Sequence, residues 1–449
     1  MHVSLFAVVL CAAYLHAIPL LHLPDSPQID NIQYTGYLFD KKNNHYLHYW
    51  FVKSSGTPEN DPLVVWLPPK SHCSVYVDFF EGLSPLKFTS NGTLTLNNYS
   101  LTTRANILVI ETSVSTGFSY GMRVYQPSND GNSDGLSAYE ALKMFYREYP
   151  EMKNNKVYIG GRQYGGAYIA SALVDHAIND HSENAINITG ILIESGYLDD
   201  TLRTEAYIKY QYDHGFIDEK TAQRVNEYCC KNDLSNKCDW KKYESLPKPE
   251  NYLRNEYDES TEAEKSYMIR HYCNKFYRSM NTQMIESIDK ESIFEESETP
   301  TNSKVSKGLP KEVERMDISH YINRNDVKYA LAVRGSPEWH DCSRKKFPLP
   351  IADIHARIKL ALEKGVRILL FNGDSDMLAP PSLAERFAQS LGLSETSSKT
   401  AFQLQDHAGG FNTKYANLEV YEVTHSGGRV KYEKPSATLH LLDTFFNKE

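Results

Sequence analysis

Beyond residue 17 no run approaches the roughly 18 consecutive apolar residues that a membrane-spanning helix needs, so no span is expected. Basic residues are in deficit: 48 Lys and Arg face 57 Asp and Glu, a formal net charge of −9. No sustained basic patch interleaved with aromatics occurs, which excludes the electrostatic footprint of a nucleic-acid binder. Paired C-x-x-C units are missing, which removes the commonest zinc signature, and no metal or cofactor is expected. No internal repeat is visible.

The first residues carry no Lys or Arg either, yet Val3 to Leu15 are largely apolar and Ala17 fits the last position before cleavage. Residues 1–17 therefore read as a signal peptide, the alternative being a buried first strand. Cys11 would leave with it. Six cysteines remain, Cys73, Cys229, Cys230, Cys238, Cys273 and Cys342, and an even number in a secreted chain suggests disulfides. Neighbouring Cys229 and Cys230 do not easily pair with each other. They more readily reach Cys238 and Cys273, in an order the sequence leaves open, which leaves Cys73 for Cys342. Sequons at Asn91, Asn98 and Asn187 fit an extracytoplasmic glycoprotein, secreted or in the lysosomal or endosomal lumen.

Hydrophobic patterning predicts a hairpin of Tyr34 to Phe39 and His45 to Val52. Leu63 to Leu67 has no polar alternation, the mark of a strand covered on both faces, and Ile107 to Ile110 is similar. Leu136 to Tyr149 repeats apolar residues on one helical face until Pro150 stops it. Strand Lys156–Ile159, helix Ala167–Ile178 and strand Ile188–Ile193 follow. This alternation predicts an α/β fold with a mostly parallel sheet and helices on both faces. The rhythm breaks over 201–320, a stretch that holds four of the six cysteines and reads as a mainly helical cap. It includes an acidic loop near 291–311 expected to be mobile. The core is expected over 18–200 and 321–449. In the second part lie helices at Asp326–Val333, Ile354–Leu362, Ala384–Leu391 and Ser436–Phe446, and strands at Val366–Phe371 and Leu418–Thr424.

The most informative motif is Gly161-Arg162-Gln163-Tyr164-Gly165-Gly166, between a strand and a helix. That context is a nucleophile elbow, the turn on which α/β hydrolases display a serine. Here the tip is Gln163, whose amide neither attacks a carbonyl nor exchanges a useful proton. The acid position after strand 366–371 holds Asp376, within the turn Gly373-Asp374-Ser375-Asp376. After strand 418–424, His425 is a candidate partner, and His407 another, though it precedes that strand. The oxyanion position after Leu67 reads Pro68-Pro69-Lys70-Ser71-His72. Two prolines there offer no N–H to a developing charge.

Several blocks together make the chain resemble the serine carboxypeptidases of the cathepsin A, or lysosomal protective protein, type. They include Tyr34-Thr35-Gly36-Tyr37, Asp61 to Leu67, Glu111-Thr112 with Gly117 to Tyr120, Gly161 with Tyr164-Gly165-Gly166, His214 to Ile217, Tyr321 to Arg324, Cys342-Ser343 and Asn372 to Met377. The resemblance implies an α/β-hydrolase fold with a central cap, in a secreted or lysosomal glycoprotein family in which some members form homodimers. It also implies the Cys73–Cys342 pairing, with Asp376 as the acid and Glu81 as a persisting recognition carboxylate. Where members carry Asn-Gly-Gly-Pro-Gly, this chain has Pro68 to His72. Their elbow glutamate, which helps recognise a carboxylate, is Arg162, and their serine is Gln163. Their Gly-Asn-Gly after the next strand is Glu194-Ser195-Gly196. Counting back from Pro435 puts Gly428 where they have histidine and Lys431 where their motif has proline.

These departures fall on chemistry and spare the fold. The sequence thus predicts a catalytically inactive carboxypeptidase homologue, with a peptide or protein ligand expected in a cleft altered at Arg162, Lys70 and His72. The alternative is an active serine carboxypeptidase with a non-standard site, Ser195 or Ser74 serving as nucleophile.

Overall fold

The computed structural model describes residues 18–40, 44–70, 72–89, 92–114, 116–121, 131–230, 272, 273, 276, 318–333, 338–342, 354–405 and 407–447. The expectations that fall on 1–17, on 291–311, and on Ser71, Asn91 and Cys238 lie outside the described residues.

A twelve-stranded sheet organises the chain. Its strands are β1 (Ile18–Pro19), β2 (Gln33–Asp40), β3 (His45–Val52), β4 (Leu63–Leu67), β7 (Asn106–Ile110), β8 (Tyr120–Gly121), β9 (Val157–Arg162), β10 (Gly190–Glu194), β11 (Arg367–Gly373), β12 (Glu395–Leu404), β13 (His407–Tyr415) and β14 (Leu418–Val423), while β5 (Leu86–Phe88) and β6 (Leu94–Leu96) pair separately. The order is β1-β2-β3-β7-β4-β9-β10-β11-β14-β13-β12, with β8 beside β3. From β7 to β14 neighbouring strands run parallel, and antiparallel hairpins close both edges. The expected hairpin is β2–β3, with Gly36 opposite Tyr49.

The buried run of β4 follows from its position in the middle. Leu63, Val65 and Leu67 enter one apolar cluster with Leu142 and Phe145 of α1 (Asn132–Glu148) and Leu173 of α2 (Ala170–Ile178). Val64 and Trp66 enter the other, with Leu441, Leu442 and Phe445 of the C-terminal helix Pro435–Phe446. Both faces are therefore covered, as a run without polar alternation requires.

The β12–β13 hairpin escapes the sequence reading, because β12 is mostly exposed and its register breaks repeatedly, leaving no period-two signal. Helix α1 starts at Asn132 rather than Leu136, since its first turn is polar. Between β10 and β11, helices α3 (Asp200–Asp213) and α4 (Glu219–Cys229) leave the sheet and form a third apolar cluster with Phe276 and Met377. Disulfides join Cys73 to Cys342 and Cys229 to Cys273, and Cys230 is also disulfide-bonded. No helix among the described residues is long and apolar enough to cross a membrane.

Candidate functional site

Parallel strands deliver their C-terminal ends to one rim of the sheet. Gln163 follows β9, Glu194 ends β10, Asp376 follows β11 and Gly428 follows β14. The strand order β9-β10-β11-β14 makes these ends neighbours although the residues span most of the chain.

The elbow is formed. Gln163 has φ 51°, a left-handed backbone that an L residue adopts only under constraint, and it is buried. The constraint comes from glycine contacts. A Cβ on Gly161 would stand 2.6 Å from the Gly166 nitrogen, and one on Gly165 would stand 2.1 Å from the Pro68 carbonyl oxygen. Both neighbours are backbone and cannot swing away, so the turn closes only with glycine there. Tyr164 is buried and stacks on Tyr168.

Asp376 is buried, and its Oδ1 accepts the N–H groups of Leu378 at 2.9 Å and Ala379 at 3.1 Å. Gly428 faces it: a Cβ built there would lie 2.8 Å from Asp376 Oδ2. A side chain at 428 would therefore be directed at this carboxylate, as the count from Pro435 implies for the histidine position. His425 is exposed on the turn after β14 and makes no hydrogen bond among the described residues. His407 opens β13 and is likewise exposed. Pro68 and Pro69 are buried and Lys70 is exposed. His72 is buried, and burial pulls its ring down to about 4.

Arg162 is only 3% exposed, and its Nε donates to Asp78 Oδ1 at 3.1 Å. It is thus a buried cation facing a carboxylate, not the open anchor for an anionic terminus that its position suggests. Asp78 also accepts from Trp66 Nε1 at 3.2 Å and faces Lys431 Nζ at 3.3 Å. Lys431 Nζ donates to Glu194 Oε2 at 2.8 Å, while the Lys431 N–H donates to Glu194 Oε1 at 2.9 Å. The ammonium lies 5.2 Å from the centre of the Trp66 ring, within cation–π range. Beside it, Arg429 pairs with Glu81 at 2.8 Å. Three cations thus meet three carboxylates, all buried.

Such a network persists in a low dielectric only because every charge has a counter-charge. Burial alone would push the Asp78 carboxyl up, but Lys431 and Arg162 pull it below its ordinary value. Burial works against the Lys431 ammonium, yet Asp78 and Glu194 hold it above the ordinary lysine value. Burial lifts Glu194, against the attraction of Lys431. Asp78 and the role of Lys431 are invisible in the sequence, which gives Asp78 no motif and marks Lys431 only as standing where the family motif has proline.

A second polar cluster bears on the alternative nucleophiles. Ser74 is fully buried and its Oγ donates to Glu111 Oε1, which also accepts from Trp339 Nε1 at 3.3 Å. His48 is hydrogen-bonded to the Tyr76 hydroxyl and is not the partner of Ser74. Serine, histidine and acid are all present here, but the serine proton is directed at the acid and the histidine is capped by a phenol. Ser195 is also fully buried, with φ 47°.

This cluster predicts a pH response. Burial pulls His48 from 6.5 down to about 3 and pushes Glu111 from 4.5 up to about 7. Because the folded His48 resists a proton that the unfolded chain accepts, its contribution falls as pH drops from 6.5 towards 3. Glu111 acts oppositely: the folded state takes its proton first, so its contribution falls as pH rises from 4.5 towards 7. The two slopes, each about 1.4 kcal/mol per pH unit at most, oppose one another between pH 4.5 and 6.5. Glu111→Gln is expected to remove the compensation. Its denaturation midpoint should then drop more steeply between pH 6.5 and 5 than that of the wild type. Parallel profiles for both proteins would refute the compensation.

Among the described residues no group of three His, Cys, Asp or Glu side chains is placed to hold a metal ion. Asn98 and Asn187 are exposed, as sequons in use must be.

A family model described as serine carboxypeptidase matches residues 24–448. The chain is similar to a Caenorhabditis elegans protein named serine carboxypeptidase ctsa-4.1, 26% identical over 434 residues, covering 94% of this chain and 91% of that one. It is also similar to the lysosomal protective protein of Mus musculus, 26% identical over 465 residues, covering 95% and 94%. Among solved structures, the prohormone-processing carboxypeptidase Kex1Δp of Saccharomyces cerevisiae superimposes with a TM-score of 0.69 at 18% identity, covering 93% and 91%. That likeness confirms the α/β-hydrolase-like fold with a mixed sheet and a helical insertion.

Proposed function

The chain belongs to the serine carboxypeptidase family, and we propose that it is a non-hydrolytic member, a folded glycoprotein of the secretory or lysosomal lumen whose former substrate-recognition site is closed by charge pairing. One observation carries this reading. Where the family resemblance implies a glutamate, a glycine and a proline, this chain has Arg162, Glu194 and Lys431, and these three join Asp78 in one buried network. Glu194 and Lys431 supply each other's counter-charge, and Asp78 supplies that of Arg162. A chain still selected for recognising a peptide carboxylate would need Arg162 accessible, and Asp78 occupies it instead.

The chemistry of the rim agrees. Gln163 at the elbow provides no nucleophile, and Gly428 provides no base beside Asp376. Pro68 and Pro69 carry no N–H for an oxyanion. Arg162 being engaged, Lys70 is the exposed cation among the described residues of the expected ligand cleft.

Purified protein incubated with blocked dipeptides at acidic pH is expected to release no C-terminal amino acid above an Asp376→Ala control. Turnover that exceeds the control and disappears with Asp376 would sink the proposal. A fluorophosphonate should leave Ser74 and Ser195 unlabelled; a serine-dependent adduct would favour the active alternative.

A further inference from the structure

Residues 97–100 form a tight turn after β6, and the turn carries the Asn98 sequon at its tip. The Ser100 N–H donates to the Asn97 carbonyl at 3.1 Å, which closes the turn, and the Tyr99 N–H donates to Asn97 Oδ1 at 3.1 Å. Both ends are pinned to the segment just before β5. Asn97 Nδ2 donates to the Ser84 carbonyl at 3.0 Å, and Ser100 Oγ donates to the Leu83 carbonyl at 2.8 Å. Asn97 and Ser100 are buried, whereas Asn98 and Tyr99 between them are exposed. The sequon asparagine and an aromatic residue are therefore adjacent on a fixed backbone, so a group that bridges them pays little to order it.

The surface around Asn98 is apolar. Tyr99 is 48% exposed and Leu96, just before the turn, is 47% exposed. Tyr99 also forms one wall of a slot with Leu101, Pro435 and Leu439. The slot encloses about 10 Å³. That is room for about one water, so a sugar ring cannot enter and must lie across the rim. Lys431 is the charged residue of the lining, and Glu194 and Asp78 already engage it. The rim thus favours a neutral occupant.

A pyranose ring suits such a boundary. It offers C–H bonds on one face and hydroxyls to the water around it, and tyrosine matches it with an apolar ring and a wet tip. A free sugar would hold too weakly to so small a surface. A sugar tethered one residue away meets it at an effective concentration of about millimolar, which populates a contact of modest strength.

We infer that the first N-acetylglucosamine of a glycan on Asn98 lies across Tyr99 and covers the rim of this slot. The inference rests on the reading of the chain as a luminal glycoprotein.

The test uses protein made in glycosylating cells, with peptide mapping by mass spectrometry to give the occupancy of each sequon. The native protein is treated with a peptide N-glycanase, which cuts between the asparagine and the first sugar. Release at Asn98 is expected to quicken by at least about fivefold in Tyr99→Ala, a factor of the size one aromatic contact supplies. It should stay slow in Tyr99→Phe, which keeps the ring. Release at Asn187, an exposed sequon, should be the same in all three proteins. After denaturation the rates at Asn98 should converge. An occupied Asn98 whose release is indifferent to Tyr99→Ala, or an empty Asn98 beside an occupied Asn187, overturns this inference and leaves the luminal reading standing. Empty sequons at both positions overturn the two together.

Discussion

Lys431→Met is expected to destabilise the fold by about 3–5 kcal/mol, the cost of leaving a buried charge without its partner. Methionine keeps most of the length of the lysine stem and retains the backbone N–H, so the loss is concentrated in the ammonium. Asp78 would still have Arg162 at 3.1 Å and Trp66 at 3.2 Å. Glu194 would keep the N–H of residue 431 at 2.9 Å and lose the ammonium at 2.8 Å. Since whole domains are stable by only about 5–15 kcal/mol, such a change should be visible first as a poor yield of folded protein. The companion Lys431→Met with Glu194→Gln removes both charges and is expected to recover most of the loss, because the coupling lies in the pair. Chemical denaturation of the disulfide-intact proteins measures both. A single variant costing under about 1 kcal/mol, or a double variant no better than the single, would show that the network carries no such load.

Restoring the two most obvious catalytic residues, Gln163→Ser with Gly428→His, is expected to leave peptidase turnover undetected. The deficit to be overcome is large: loss of the serine alone costs about 10⁶ in a serine protease, or about 8 kcal/mol at 1.36 kcal/mol per decade. A serine at 163 would inherit the left-handed elbow, and a histidine at 428 would point at Asp376. Its Cβ at 2.8 Å from Oδ2, however, forces that carboxylate to move. The prolines at 68 and 69 would still offer no N–H to the oxyanion. Arg162 would still face Asp78 instead of a substrate carboxylate. Release of C-terminal amino acids from blocked peptides by this variant, abolished by adding Asp376→Ala, would mean that the serine and histidine were the only barriers.

These expectations differ in how early they could be formed. Much of the fold was legible in the sequence because it rests on local patterns. The apolar run Leu63 to Leu67 marks a doubly covered strand whatever surrounds it, and Pro150 ends a helix by removing an N–H. The elbow was legible because Gly161 and Gly165 recur where backbone meets backbone. The β12–β13 hairpin was not, since an exposed edge strand has no apolar face to repeat. Gln163, Asp376 and Gly428 could be assigned from order and spacing along the chain. The partner of Arg162 could not. Read alone, Arg162 suggested an open cation for a ligand's carboxylate, and Glu194 and Lys431 were merely departures.

The sequence by itself determined most of the central elements, the elbow and the residue types at each catalytic position, because periodicity, turn chemistry and spacing act over a few residues. Only the tertiary structure decided that Asp78, Arg162, Glu194 and Lys431 neutralise one another. Charges separated by 84 to more than 200 residues interact only after the strand order has brought their carriers to one rim and burial has removed the water that would otherwise screen them.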